Sequence, residues 1–351
     1  MALETMVEPE ARAGTEDGGR RTRTGGAAMR ASTRATARHG MTVEEIAPGV
    51  AYLRTVMVNL FFLGEAGAGD REWVLVDAGL GGVGAAASIA AAAASRFGPD
   101  SRPAAIVMTH GHFDHVGGLE QLAEQWDAPV YAHPLELPYL TGRAKYPPMD
   151  PTVGGGAQAR MSFMFPTTPV NVGARARELP PDGRVPGVDG WRWIHTPGHT
   201  PGHVSLVRDE DRTVIAGDAV VTTRQESASA VMAQTPKVWR PPAYATTDWH
   251  LARRSVEAIA RLEPELLATG HGVPLRGAAM RSGLEALVRD FALVMPEDGR
   301  YVREPARFDE SGVVSVPPPV PDKAMRMAVG VGVTVVAGIA LAKLLGDRRD
   351  D

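Results

Sequence analysis

Three histidines and an aspartate fall within six residues of the chain, in the segment THGHFDH at residues 109–115. In an extended segment, residues two apart point the same way, so His110 and His112 can reach one metal ion. The turn that follows carries Asp114 and His115 toward a second ion. Imidazole nitrogens and carboxylate oxygens are ligands that zinc and related metals accept. The spacing therefore predicts a metal centre.

Three later residues have the type and the setting to complete this centre. His199 lies in TPGHTPGH at residues 196–203, where prolines and glycines can hold an imidazole rigidly. Asp218 follows an apolar run through a glycine, and His271 lies between two glycines that let the backbone pass close to a metal ion. The chain has no cysteine, so any transition-metal site must be built from histidine and carboxylate.

The elements that must position these residues alternate between strands and helices. Short β-like runs end where the candidate ligands begin, and helical patterns follow several of them. We predict strands at residues 50–58, 59–64, 73–77, 104–109, 129–132, 191–195, 203–208, 213–216 and 266–269, and helices at 83–97, 118–126 and 249–262. This order predicts an α/β domain with sheets inside and helices outside.

The composition is typical of a globular protein, with 44% hydrophobic and 22% charged residues in 351. Residues 1–40 contain almost no large apolar side chain and are predicted to form a disordered tail. The catalytic domain is expected at residues 41–315, followed by a proline-rich linker at 316–323 and an apolar C-terminal helix at 324–351.

Residues 134–187 have no clean period and are predicted to be an insertion within the domain. A connection of that length in a compact domain is usually functional or disordered. We expect it either to fold over the site as an apolar lid or to pack on the core as a helical insertion. Its large apolar side chains are Tyr139, Tyr146, Met149, Met161, Phe163, Met164 and Phe165.

Charge and hydropathy limit the partners. The formal net charge of -4 gives no electrostatic footprint for nucleic acid, so we expect a small-molecule substrate and no nucleic-acid partner. No apolar stretch near the start resembles a secretory signal, so the cytoplasm is the expected compartment.

The uncharged run at residues 327–342 predicts membrane association through residues 327–345. The alternative is a helix docked on the domain or swapped between subunits, and the oligomeric state is left open.

The order of the motifs resembles the metallo-β-lactamase superfamily over residues 41–276. The motifs are LVDAG at residues 75–79, the cluster at 110–115, and then His199, Asp218 and His271. The resemblance implies an αββα sandwich, in which two mixed β-sheets are flanked by helices and the site lies at one edge of the sheets. By position, His110, His112 and His199 would bind the first metal ion, and Asp114, His115 and His271 the second. Asp218 would bridge the two ions, and Asp77 would support the site without binding metal. Because these residues already complete the ligand set, we expect His195 and His203 to be structural residues or to support the ligands.

The implied function is a metal-dependent hydrolase. Two divalent ions, zinc first with iron or manganese as alternatives, would share a water and activate it as hydroxide. The substrate would be a small ester, thioester or lactone. Asp114 is the best candidate for a catalytic residue that handles protons, because it would lie beside the second metal.

Within the superfamily, residues 196–206 and 216–218 are most similar to the glyoxalase II and lactonase-like branch. The chain has Val221 where known acyl-homoserine lactonases carry a tyrosine, and residues 273–315 show no match to the glutathione-binding set of glyoxalase II. Two alternatives remain. One is an enzyme like the persulfide dioxygenases, with a single iron on His110, His199 and Asp218. The other is a non-catalytic binding protein of the same fold.

Overall fold

The structure is a computed structural model that describes residues 34–36 and 42–321. The strands are β1 (Arg34–Thr36), β2 (Thr42–Ala47), β3 (Val50–Thr55), β4 (Val58–Leu63), β5 (Val74–Val76), β6 (Ala105–Val107), β7 (Val130–Ala132), β8 (Ala176–Glu178), β9 (Trp191–His195), β10 (Val204–Arg208), β11 (Thr213–Ile215), β12 (Leu266–Ala268), β13 (Leu275–Arg276), β14 (Arg307–Asp309) and β15 (Gly312–Ser315). The helices are α1 (Ala85–Phe97), α2 (Leu119–Trp126), α3 (Leu137–Leu140), α4 (Ala157–Met161), α5 (Ala228–Ala233), α6 (Trp249–Arg261), α7 (Gly277–Arg289), α8 (Phe291–Val294) and α9 (Arg300–Arg303). Short 3-10 helices occur at Pro134–Glu136, Pro151–Val153, Ser162–Met164, Gly173–Arg175 and Ala243–Ala245.

Two mixed sheets carry the fold. The first runs from β1 to β8 in chain order, antiparallel as far as β5 and parallel from β5 to β8. The second has the order β13-β12-β11-β10-β9, with one parallel pair between β11 and β12. The last two strands, β14 and β15, form a separate hairpin.

Successive side chains of a strand point to opposite faces of its sheet, and this divides the core into three layers. In β4, Phe61 and Leu63 belong to the cluster between the two sheets, together with Leu206 of the second sheet. The intervening residues Leu60 and Phe62 pack in the cluster that includes α1 and α2. The outer face of the second sheet packs against α6 and α7. Residues two apart in a strand face the same side, which places successive residues of β4 in different layers. The result is the αββα sandwich that the family resemblance implied, and it agrees with the α/β domain that the residue patterns predicted.

The strands and helices predicted within the described residues are all present, with ends shifted by up to three residues. The elements that the prediction did not include are β2, β8, β13, α5, α7 and the β14–β15 hairpin, among others. Arg34–Thr36 lies in the predicted disordered tail and instead forms a strand paired with β2. The rest of that tail, like the predicted C-terminal helix at residues 324–351, lies outside the described residues. Within residues 34–36 and 42–321, every helix is too short or too polar to cross a membrane.

The three parts of the insertion at residues 134–187 have different surroundings. Its first part packs inward, since Tyr139 and Tyr146 are buried. Its middle part, α4 and the 3-10 turn after it, leaves Phe163 and Met164 exposed. Its end contributes β8 to the edge of the first sheet.

Candidate metal centre

The candidate ligands follow the carboxyl ends of four strands. His110, His112, Asp114 and His115 lie in the loop between β6 and α2, and His199 follows β9. Asp218 and His271 follow the parallel neighbours β11 and β12. Because the carboxyl ends of parallel strands meet at one edge of a sheet, residues distant in sequence converge there.

The structure brings the seven predicted residues into three overlapping groups, and within each group one ligand atom per residue lies within 4.8 Å of the others. The groups are His110, His112 and His199; His110, His115 and Asp218; and Asp114, His115 and His271. Asp218 lies between the two sides, with Oδ2 3.5 Å from His199 Nε2 and 3.1 Å from His271 Nε2.

Unpartnered polar atoms show where a metal would fit. Among the described residues, His110 Nε2, His115 Nε2 and Asp218 Oδ1 are buried and have no hydrogen-bond partner. Buried polar atoms without partners are uncommon, and each needs a reason such as an ion. These three belong to one of the groups above, so the arrangement fits a divalent metal on nitrogen and carboxylate ligands.

Asp77 orients His115. Its carboxylate accepts hydrogen bonds from the Thr109 backbone N–H at 2.8 Å and from the Thr109 hydroxyl at 2.7 Å, and its Oδ2 lies 2.7 Å from His115 Nδ1. This contact turns Nε2 of His115 toward the cluster. A carboxylate that holds the far nitrogen of a histidine fixes its tautomer and its ring orientation. The geometry agrees with the supporting role expected of Asp77.

The loop that carries His271 is held by β4. Asn59 donates from Nδ2 to the carbonyls of Thr269 at 2.8 Å and Gly272 at 2.7 Å. His271 Nδ1 lies 2.9 Å from the Met57 carbonyl, which leaves Nε2 facing the carboxylates. At Gly270 a Cβ atom would lie 2.2 Å from Asp218 Oδ1, so this approach requires glycine.

His203 supports Asp218 and is not among the grouped ligand residues. Its Nε2 accepts a hydrogen bond from the Asp218 backbone N–H at 2.9 Å, and its Nδ1 lies 2.9 Å from the Thr196 hydroxyl. His195 pairs through Nε2 with the Pro201 carbonyl at 2.9 Å. Both histidines therefore have protein partners, as expected for structural residues.

Glu136 connects two ligand loops and was not predicted. Its Oε1 accepts hydrogen bonds from the Thr200 hydroxyl at 2.7 Å and the Gly202 N–H at 2.8 Å. Its Oε2 accepts from the Gly111 N–H at 3.0 Å and from the Tyr146 hydroxyl. Gly111 lies between His110 and His112, and Thr200 follows His199. A single fully buried carboxylate thus holds together the loops that carry the first group of three histidines.

Burial prepares three of the histidines as neutral ligands. It lowers the pKa of His112 to about 3 and the pKa values of His110 and His199 well below the usual value, because a buried imidazolium loses its hydration. Burial opposes ionisation of Asp218, but His271 and His115 outweigh it and hold the Asp218 pKa well below its usual range. His110, His112 and His199 are thus held as neutral imidazoles and Asp218 as an ionised carboxylate, the forms that bind a divalent ion. Burial also disfavours the imidazolium forms of His115 and His271, but Asp77 and Asp218 outweigh it at His115 and hold its pKa well above the usual value, and Asp218 raises the pKa of His271. A divalent ion bound by these two histidines would have to displace their protons.

A buried histidine–aspartate cluster at the edge of an αββα sandwich defines a candidate metal centre, and the comparisons give the family. Residues 53–271 match the family described as the metallo-beta-lactamase superfamily. The chain is 44% identical over 243 residues to "Probable metallo-hydrolase YflN" of Bacillus subtilis (strain 168), which covers 69% of this chain and 91% of that protein. It is 29% identical over 170 residues to "Probable metallo-hydrolase YybB" of the same organism, and the match covers 48% of this chain and 64% of that protein. The chain belongs to the metallo-β-lactamase superfamily.

Solved structures with a similar fold include "TTHA1623 in a di-iron-bound form", at 26% identity and a TM-score of 0.43, covering 68% of this chain and 96% of that one. They also include the metallo-beta-lactamase family protein TTHA1429 of Thermus thermophilus, at 23% identity and a TM-score of 0.48, covering 71% and 81%. A third is the archaeal superfamily protein ST1585 of Sulfolobus tokodaii, at 18% identity and a TM-score of 0.49, covering 70% and 87%.

Proposed function

We propose that this protein is a dinuclear metallo-hydrolase that cleaves a small ester, thioester or lactone. The observation that carries the proposal is the position of Asp218 between two groups of three potential ligands. Two groups that share a carboxylate are the arrangement expected for two neighbouring ions. A site for a single iron on His110, His199 and Asp218 would leave the group of Asp114, His115 and His271 without a role.

His110, His112 and His199 would hold one ion, and Asp114, His115 and His271 the other, with Asp218 between them. When bound, two such ions supply Lewis acidity and lower the pKa of a water molecule toward neutrality. We infer zinc as the resident metal because the ligands are imidazole and carboxylate, with iron or manganese as alternatives. The protein itself supplies fixed ligand orientation and a site with little water, since all seven side chains are buried.

Asp114 and His112 mark the side from which a substrate approaches. Asp114 is 8% exposed and His112 is 5% exposed, while the other five ligand candidates are at 2% or less. Asp114 Oδ2 lies 3.4 Å from His271 Nε2. This position lets the Asp114 carboxylate orient an attacking water or accept its proton at the open face of the site.

Metal removal and one conservative substitution test the proposal. We expect the protein purified with zinc to hydrolyse members of an ester, thioester and lactone panel, to lose activity in a chelator and to recover it when zinc is restored. Asp114→Asn should lower kcat by about 10²-fold to 10⁴-fold, the usual contribution of a positioned acid or base. If Asp114→Asn kept its full metal content and full turnover, the proposed role of Asp114 in catalysis would be wrong. If the fully metal-loaded protein cleaved no member of the panel, the proposed hydrolase function would be wrong.

A further inference from the structure

Several exposed apolar side chains lie on segments that meet beside the metal centre. Of the eight large apolar residues exposed within the described part of the chain, five lie on three such segments: the β3–β4 turn, the stretch from α4 into the 3-10 turn, and α5. Phe163 is 70% exposed and Met232 is 86% exposed, so these side chains face solvent. The apolar rim consists of Val56, Met161, Phe163, Met164 and Met232.

Met57 is the junction of the three segments. Gln158 of α4 places Nε2 3.5 Å from the Met57 sulfur, and Gln225, which precedes α5, places Nε2 4.0 Å from the same atom. Gln225 Nε2 also lies 3.1 Å from Nδ1 of the candidate ligand His271, whose Nδ1 contacts the Met57 carbonyl. The β3–β4 turn and the residue Gln225 before α5 therefore contact the ligand His271 directly, and α4 reaches it through Met57.

An aromatic path leads from the rim to the open face of the site. Phe165 follows the exposed residues Phe163 and Met164, and its ring centroid lies 5.3 Å from that of Phe113 and 5.5 Å from that of Tyr244. Phe113 stands in sequence between His112 and Asp114, the two most exposed ligand candidates. Phe113 and Phe165 are both half-buried. Apolar surface thus continues from solvent to the place where the reacting bond would lie.

The charge of the segments that carry the rim indicates what kind of ligand they bind. Residues 157–165 and 228–234 contain one charged residue, Arg160, and no carboxylate. An uncharged apolar surface next to a catalytic centre fits the apolar part of a substrate better than a charged one.

We propose that the apolar rim binds the acyl chain of the substrate, so that the preferred substrates are esters or thioesters of medium- to long-chain fatty acids. This inference rests on the hydrolase function proposed above and names its substrate class. Each methylene that leaves water for the rim should raise kcat/KM, by up to about fourfold when it is fully buried. The carbonyl would lie at the metal centre and the chain would extend past Phe113 and Phe165 toward Phe163.

The test is a chain-length series on the metal-loaded full chain, with p-nitrophenyl esters from acetate to decanoate, each below its critical micelle concentration. We expect kcat/KM to rise with chain length in the parent protein. The double variant Phe163→Ser/Met164→Ser should flatten this rise. The matched control is Leu293→Ser, which removes an exposed apolar side chain outside the rim and should keep the parent profile.

Three results would overturn the inference. One is a flat chain-length profile in the parent protein, and another is the same profile in the parent and the double variant. The third is activity that responds to phosphatidylcholine vesicles and not to the chain length of monomeric esters, which would assign the rim to a lipid surface.

A binding measurement separates this inference from the proposed function. Calorimetry with decanoate and acetate reports on the rim without requiring hydrolysis. If decanoate binds more tightly than acetate and the difference is lost in Phe163→Ser/Met164→Ser, acyl-chain binding by the rim is supported even when no ester is cleaved. In that case only the hydrolase proposal fails. If the double variant and the parent bind decanoate with equal affinity, acyl-chain binding by the rim is wrong, and the hydrolase proposal is unaffected.

Discussion

The ligand loops and the middle of the insertion, residues 157–165, are built in opposite ways although they are in contact. The ligand loops are held by buried polar side chains such as Asp77 and Glu136, each of which accepts several hydrogen bonds. Residues 157–165 expose Met161, Phe163 and Met164 and are fixed to the domain by few polar contacts. The hydrogen bonds of the ligand loops suit metal ligands, which need fixed positions. The exposed apolar side chains of residues 157–165 suit an apolar group of variable length.

The largest effect is expected from Asp77→Asn, which alters the fixed region at its centre. Asp77 accepts two hydrogen bonds from Thr109 and contacts His115 Nδ1. An amide nitrogen cannot accept, so the tautomer and orientation of His115 should be lost. We expect metal affinity to fall by about 10-fold to 100-fold, the usual effect of changing such a partner.

Competition with a chromophoric chelator measures that affinity. Asp209→Asn is the control, because Asp209 is an exposed partner of Arg192 at the end of β10 opposite to His203 and should leave metal binding unchanged. Parent-like affinity in Asp77→Asn would show that His115 does not need this carboxylate.

Glu136→Gln tests whether one carboxylate holds two ligand loops. Burial raises the Glu136 pKa to about 6, so the side chain is ionised above neutral pH and can accept from all its donors. Each oxygen accepts from a backbone N–H, one from Gly111 and one from Gly202. In either orientation the amide NH₂ of glutamine would face an N–H, which should cost about 1–3 kcal/mol of unfolding free energy.

Chemical denaturation at pH 8 measures the stability of this variant, and metal titration should show weaker binding at the site of His110, His112 and His199. Glu124→Gln, on the exposed surface of α2, is the control for loss of a charge. A Glu136→Gln protein as stable as the parent, with unchanged metal binding, would mean that the loops hold their positions without this contact.

The smallest effect on stability is expected from Phe163→Ser/Met164→Ser. Both side chains are exposed, at 70% and 59%, and surface substitutions usually change unfolding free energy by no more than about 0.5 kcal/mol. Denaturation of the metal-loaded protein should therefore be nearly unchanged. A loss of several kcal/mol would show that this part of the insertion is a packed element, and the contrast between the two regions would disappear.

The sequence predicted the parts of the site that are concentrated in short motifs. Four candidate ligands occur within residues 110–115, and the strands that carry Asp218 and His271 are plainly apolar. The contacts of Glu136 and Asn59 could not be predicted, because they join residues far apart in the chain: Glu136 reaches Thr200, and Asn59 reaches Thr269. A buried glutamate or asparagine gives no local sequence signal of its partners.

The elements that the sequence analysis missed have weak local patterns. Helix α7 begins at Gly277 and contains Gly283, and glycine has low helix propensity. Its buried residues Met280, Leu284 and Leu287 nevertheless have helical spacing, so the periodicity was present in the sequence. The strand β8 has three residues that are half-buried or exposed, and it is defined by its pairing with β7. Such elements depend on tertiary contacts.

The central claim is a dinuclear centre in which Asp218 lies between two ions. The most direct test is metal content per chain, measured by elemental mass spectrometry on protein purified without added metal, for the parent and for His271→Ala. We expect about two equivalents of zinc or a similar ion in the parent, falling toward one in the variant, because His271 belongs to only one of the two groups. A single iron in the parent that is retained in His271→Ala would contradict the dinuclear centre.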